Sequence, residues 1–180
     1  LVGSEMCIRD RYEIDGNFSL IEIGSGTEVI SDSAQVSASS DVVDLNGLNI
    51  VGFQITTSHT DNEQACNFGA STEDDEVAYN GGIKEIQVAN SGTQQNLQSS
   101  EYWIEIDLIG STTNSSSNEL NQLLDGGDFG IGEYSFTISV TVNDGGATVP
   151  FPCSNGDSDE SVDWTVYLIA LEYTLTEVKE

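Results

Sequence analysis

Hydrophobic and polar side chains alternate strictly along residues 134–142, which read YSFTISVTV. Every second position holds an aromatic or aliphatic residue, and serine or threonine fills the positions between them. Successive side chains of an extended chain point to opposite faces, so this pattern predicts a β-strand with one face in a core and the other in water. The content of aromatic and β-branched residues favours the same structure.

The same period of two recurs, less regularly, along the rest of the chain. Residues 42–57 are apolar on both faces, which predicts a strand that is buried on both sides or interrupted by a bulge at Gly52. Residues 101–109 alternate well and predict another strand. In residues 162–178 the apolar side switches near residues 167–169, which predicts a bulge or a change of sheet at that point.

These patterns, together with long polar loops, predict an all-β fold. We expect an antiparallel β-sandwich of the Greek-key or jelly-roll type with about eight strands. A closed barrel of the lipocalin type is the alternative, and the uneven spacing of the strands disfavours it. No internal repeat with a fixed period is visible in the sequence.

One short helix is predicted near residues 116–125. Ser116 and Glu119 have the spacing of a capping box, in which two side chains bond the free backbone groups at a helix start. A one-sided stripe of leucines follows, and paired glycines can end the helix. The stripe consists of Leu120, Leu123 and Leu124.

The charge of the chain is strongly negative. It has 31 Asp and Glu residues against 4 Lys and Arg, for a net charge of −27. Nucleic acids require cationic side chains to neutralise their phosphates, so this balance excludes nucleic-acid binding. No apolar run is long enough to span a membrane as a helix. We expect stability to rise with ionic strength or calcium, because both relieve repulsion among carboxylates.

The first eleven residues, LVGSEMCIRDR, resemble the conceptual translation of a sequencing adapter. We therefore expect residues 1–11 to be non-native and residues 12–180 to form a single sandwich domain. Without Cys7 the chain keeps two cysteines, Cys66 and Cys153, each inside an acidic loop. A disulfide between them is the hypothesis, with two separate thiols as the alternative. A disulfide would indicate an extracellular or cell-surface protein.

That disulfide would bring two acidic loops together. Clustered carboxylates suit calcium, which takes six to eight oxygen ligands in flexible geometry. The alternative is a solvated acidic surface, and the second loop is not an EF-hand because it lacks the required glycine and closing glutamate. A weaker candidate is the pair of acids that flanks the helix-terminating glycines, Asp125 and Asp128. The predicted calcium ligands are Glu73, Asp74, Asp75, Asp157, Asp159 and Glu160.

A carbohydrate site is predicted on the strand at residues 101–109. Trp103, Glu105 and Asp107 would share one face of that strand, where the indole could stack on a sugar and the acids accept hydrogen bonds from its hydroxyls. The alternative is that the leucine stripe of the helix folds back and covers Trp103.

Enzyme motifs are scarce. The single histidine, His59, has no partner pattern for a catalytic triad. A glycosidase needs only two carboxylates, but the sequence nominates no pair. We therefore expect a secreted or cell-surface binding or adhesion module for a carbohydrate or a surface protein, stabilised by calcium. The alternatives are a structural subunit of a surface layer or fibre and, third, a small glycan-acting hydrolase.

Overall fold

The structure, a computed structural model, describes residues 10–60, 74–143 and 159–179. Within these residues, nine strands form two sheets in which every pair of neighbours is antiparallel. The strands are β1 (Arg11–Ile30), β2 (Ser33–Ser39), β3 (Ile50–His59), β4 (Glu76–Ile83), β5 (Ile86–Gly92), β6 (Asn96–Tyr102), β7 (Thr112–Asn114), β8 (Glu133–Thr141) and β9 (Glu160–Glu177). One α-helix, α1 (Ser117–Leu123), and two 3-10 turns, Ser40–Val42 and Ile106–Leu108, complete the elements.

The strand order is that of a jelly roll. One sheet has the order β6-β3-β9-β1-β7 and the other the order β2-β8-β4-β5. The late strands β8 and β9 are inserted between early ones in both sheets, which produces two interlocked Greek keys. The predicted sandwich is therefore confirmed. The described strands make two separate sheets rather than one closed barrel.

The strand predicted at residues 134–142 is β8, at the centre of the four-stranded sheet. Tyr134, Phe136 and Ile138 have no exposed surface, and both aromatic rings contact Phe53 of β3 in the opposite sheet. The centroids of Phe53 and Tyr134 lie 5.4 Å apart in an edge-to-face arrangement. These contacts close the main core, which lies between the two sheets.

A second, smaller core covers one end of the outer face of the five-stranded sheet. The predicted helix is confirmed, and both halves of its capping box form between Ser116 and Glu119. Leu120 and Leu124 are fully buried against the sheet, whereas Leu123 is 38% exposed. The sheet is consequently buried on both faces at this end.

That second core explains the switch of the apolar side along β9. Leu168 and Ala170 face the main core, while Ile169 and Leu171 face the helix, and all four are buried. Of the two alternatives predicted for this switch, the change of sheet is wrong, since all eighteen residues of β9 stay in one sheet. Bulges do occur at this point, but in the neighbouring strands: the register shifts in β1 between Glu22 and Gly24 and in β3 between Ile50 and Gly52. The bulge predicted at Gly52 is thus confirmed.

The strand predicted over residues 101–109 is wrong. β6 occupies Asn96–Tyr102, so only its last two residues lie in the predicted range. Tyr102 pairs with Gly52, and the N–H of Trp103 bonds to the carbonyl of Val51. β3 begins at Ile50, so a longer β6 would have no partner strand, and the chain turns away.

None of the described residues forms a helix long and apolar enough to cross a bilayer. At the N-terminus β1 begins at Arg11, the last residue of the segment expected to be non-native, and residues 1–9 lie outside the described residues.

Candidate ligand-binding face

Helix α1 covers only one end of the outer face of the five-stranded sheet, and the rest of that face is not covered by the helix. Here β6, β3, β9 and β1 present side chains in three registered rows, because residues paired across antiparallel strands point to the same side. We call this surface the polar face. Its rows are Asn96, Ser58, Asp163 and Thr27; then Gln98, Thr56, Thr165 and Ser25; then Ser100, Gln54, Tyr167 and Glu22.

In the third row, Gln54 orients its neighbours through hydrogen bonds. Gln54 is 8% exposed, and its Oε1 accepts hydrogen bonds from Nε2 of Gln98 and Oγ of Ser100, both at 3.1 Å. Its neighbour across the strand pair is Tyr167, whose side chain is half-buried. A ligand would therefore meet oriented amide and hydroxyl groups beside an aromatic ring.

The two acids of the polar face are each hydrogen-bonded to a neighbouring hydroxyl. Thr27 donates to Oδ1 of Asp163, and Ser25 donates to Oε1 of Glu22 at 2.7 Å. The remaining side chains are neutral, and none is a lysine, arginine or histidine. With donors and acceptors but no cation, the face suits a neutral hydroxylated ligand and not a phosphate or sulfate.

A shallow groove of about 330 Å³ runs along the polar face between β6, β3 and β9. This volume lies at the lower end of the range for small-molecule sites. Its outward-facing lining consists of Thr56, Ser58, Asn96, Gln98, Asp163 and Thr165. The alternation of polar residues at 54, 56 and 58 and at 163, 165 and 167 is visible in the sequence, but the four-strand register that aligns them is not.

The carbohydrate site predicted from sequence is not assembled. Trp103 donates its indole N–H to the carbonyl of Ile50 at 3.0 Å, and its ring packs beside Phe129. Glu105 and Asp107 are exposed on the 3-10 turn, so the three residues share no strand face. The leucine stripe does not cover Trp103 either, because Leu120 and Leu124 belong to the second core whereas Trp103 packs against the main core. The residues beside its ring are Gly126, Phe129 and Gly130, which follow the helix.

The predicted calcium ligands fall partly outside the described residues. Glu73 and Asp157 lie there, as do Cys66 and Cys153 of the predicted disulfide. Of the others, Asp74 is exposed and Asp159 half-buried. In residues 10–60, 74–143 and 159–179, no group of three or more His, Cys, Asp or Glu side chains is arranged to hold a metal ion.

Asp75 and Glu160 are fully buried at one end of the sandwich, where β4 and β9 begin and where β3 ends at the buried His59. We call this the loop end. The Oδ1 of Asp75 accepts a hydrogen bond from the N–H of Asn143 at 2.7 Å, and its Oδ2 has no hydrogen-bond partner in the described chain. The described lysines and arginine lie at the opposite end: Arg11, Lys84 and Lys179.

No protein-family model matches this chain, and no curated protein matches its sequence significantly. The jelly-roll fold itself is shared by proteins of unrelated function. The polar face and the loop end are therefore the features of this chain that bear on its function.

Proposed function

We propose that this protein is a secreted or cell-surface binding module that holds a neutral, hydroxyl-rich ligand of the glycan class on the polar face. The observation that carries the proposal is Gln54, a nearly buried amide whose two hydrogen bonds orient Gln98 and Ser100 beside the ring of Tyr167. A sugar has an apolar face for the ring and hydroxyls for the amides, so it satisfies both kinds of group.

The order of the face supports binding without large rearrangement. Side chains that are already hydrogen-bonded lose little freedom when a ligand arrives, so less of the binding energy is spent on ordering them. Each added hydrogen bond contributes about 0.5–1.5 kcal/mol net, so we expect several weak contacts to add to a modest affinity. An extracellular location fits the net charge of −27, since salt screens repulsion between exposed charges.

The test is affinity electrophoresis of the full chain through gels that contain soluble neutral polysaccharides of different linkages. We expect retardation by at least one polymer, lost in Tyr167→Ala and weakened in Thr56→Val, which keeps the shape but removes the hydroxyl. Thr141→Val on β8 makes the same exchange on the other sheet and should leave retardation unchanged. Absence of retardation by every polymer, or equal retardation of Tyr167→Ala, would refute the proposal.

Calcium at the loop end is a second part of the proposal. Its support is Asp75, a fully buried carboxylate with one oxygen that lacks a hydrogen-bond partner in the described chain. An ionised carboxylate in such a place is costly unless a cation compensates it. The described residues do not complete a coordination shell, so further ligands would come from Glu73 and Asp157, the acids predicted from the sequence.

A structural subunit is the second candidate function, and one observation favours it. β7 pairs only with Arg11–Glu13, so in the described chain most of the free edge of β1 has no strand partner. Such an edge can accept a strand from another molecule. The bulge between Glu22 and Gly24 interrupts the edge, and a charge of −27 opposes self-association, so we favour the binding module. Sedimentation velocity at several concentrations in high salt would separate the two, since a subunit polymerises.

A further inference from the structure

A second groove lies at the helix end of the sandwich, away from the polar face. Two adjoining cavities of about 380 and 310 Å³ share the loop residues Gly47, Leu48 and Asn49 and the ring of Tyr173. Asn121 and Asp125 line the first cavity, and Glu172 lines the second. We call the combined space the helix-side groove.

Hydrogen bonds fix the walls of this groove. Asn49 donates to the carbonyl of Leu124 at 2.6 Å and accepts from the N–H of Gly126 at 2.9 Å, which ties the loop to the end of α1. The hydroxyl of Tyr173 donates to Oδ1 of Asn121 at 2.8 Å, which holds the ring in place. The groove is therefore formed before any ligand enters it.

The chemistry of the groove differs from that of the polar face. Asp125 lines the first cavity beside Tyr173, which both cavities share. Glu172 lines the second cavity, but it precedes Tyr173 in β9, so its side chain leaves the opposite face of that strand. Among the described residues, no lysine, arginine or histidine lines either cavity. The N–H of Gly127 bonds to Oδ1 of Asp125 at 3.0 Å and orients that carboxylate. Burial, and second the charge of Asp125, raises the pKa of Tyr173, so the field of Asp125 reaches the ring.

We propose that the helix-side groove binds an organic ammonium group, with the face of Tyr173 and the carboxylate of Asp125 as the recognising groups. An aromatic face attracts a cation through its quadrupole, and a carboxylate accepts the N–H hydrogen bonds of an ammonium group. An anion would be repelled by the carboxylate, and a neutral ligand would lose the charge-assisted part of the interaction. The ammonium can belong to an amino sugar or to a lysine side chain, which share this chemistry.

Isothermal titration at low ionic strength tests the inference on the full chain. The probes are glucosamine, Nα-acetyl-lysine N-methylamide, in which the side-chain amine is the one free ammonium group, and neutral N-acetylglucosamine as the matched uncharged sugar. We expect saturable binding of at least one ammonium probe and weaker or no binding of the neutral sugar. The tighter of the two ammonium probes identifies the source. Added salt should weaken binding, because the Asp125 carboxylate is exposed to solvent.

Variants locate the site. Asp125→Asn should weaken binding of the ammonium probe by about 2- to 5-fold, the scale of an exposed charge pair. Glu177→Gln, at the exposed end of β9, is the matched control and should bind like the wild type. Melting curves establish that each variant is folded. Equal binding of glucosamine and N-acetylglucosamine, or unchanged affinity in Asp125→Asn, would overturn the inference and leave the proposal for the polar face unaffected.

Discussion

The carboxylate of Asp75, just before β4, accepts a 2.7 Å hydrogen bond from the backbone N–H of Asn143, just after β8. The side chain of Asn143 returns a bond to the carbonyl of Asp74 at 2.9 Å. This pair of bonds ties the start of β4 to the end of β8. Asp75 accepts one of them and is fully buried. A cation bound beside it would therefore compensate a charge that is costly to bury alone.

Replacing Asp75 tests the role of calcium. Asp75→Asn keeps an oxygen for the Asn143 N–H but removes the charge. In chelator we expect a melting temperature equal to or above that of the wild type, since a buried charge is removed. Saturating calcium should raise the wild-type melting temperature by about 5 °C or more and leave the variant unchanged, as measured by scanning calorimetry. Asp41→Asn, exposed beyond β2, is the control, and an equal calcium response in Asp75→Asn would contradict the role.

Ionic strength should stabilise the fold independently of calcium. The chain has a net charge of −27, and a monovalent salt screens repulsion between exposed carboxylates. We expect the urea midpoint to rise between about 0.02 M and 0.5 M sodium chloride in the presence of chelator. Urea is uncharged, so it leaves the ionic strength under control. A midpoint that does not change over this range would show that the acids are already compensated within the fold.

The segment after α1 depends on a close backbone approach at Gly126. A Cβ at this position would lie 1.7 Å from the carbonyl oxygen of Ile50, the same oxygen that accepts the indole N–H of Trp103. Gly126→Ala should therefore lower the free energy of unfolding by about 2–3 kcal/mol, because backbone must move. Gly92→Ala is the control, since its Cβ would meet only the flexible side-chain ends of Leu97 at 3.3 Å and Gln94 at 3.4 Å. Chemical denaturation of both variants gives the comparison.

Alkaline pH should destabilise the protein through its buried tyrosines. Burial raises the pKa of Tyr134, Tyr79 and Tyr173 above the usual value of 10.0. In the unfolded chain these groups ionise near pH 10 while in the folded chain they stay protonated, so unfolding releases protons and stability falls as pH rises beyond about 10. Below that pH their contribution is fully present. Each such group adds a slope of up to about 1.4 kcal/mol per pH unit.

Tyr134→Phe isolates one of these groups. The variant keeps the ring that contacts Phe53 and loses the hydroxyl that donates to Gly130. At neutral pH we expect a loss of about 1 kcal/mol, the typical net value of a hydrogen bond. Above pH 10 the free energy of unfolding, measured from urea curves at several pH values, should fall less steeply with pH. The difference in slope should correspond to about one proton fewer released on unfolding. An unchanged alkaline slope would show that Tyr134 does not contribute.

Local sequence rules account for the elements whose pattern is complete within a few residues. The alternation in β8 and the capping box between Ser116 and Glu119 needed no tertiary information, and both are present in the structure. The sequence also indicated the bulge at Gly52, as one of two interpretations of a strand that is apolar on both faces. These features follow from side-chain direction and backbone hydrogen bonding over short distances.

The candidate site required the fold. Gln54, Tyr167 and Ser100 are unremarkable in sequence and become one row only through the pairing of β6, β3 and β9. Trp103 and Glu105 suggested a site because their stretch alternates, but β3 begins too late to extend β6 that far. Strand pairing joins residues distant in sequence, and no local pattern encodes it.

By itself, the sequence determined an acidic, antiparallel β-protein with one capped helix, because alternation, capping and charge are local or summed properties of the residues. Tertiary structure decided which faces are covered. The helix is placed over Ile169 and Leu171, which turns the switch in β9 into a second core and leaves the rows around Tyr167 open. The physical reason is that burial of an apolar face depends on what packs against it, and that partner comes from elsewhere in the chain.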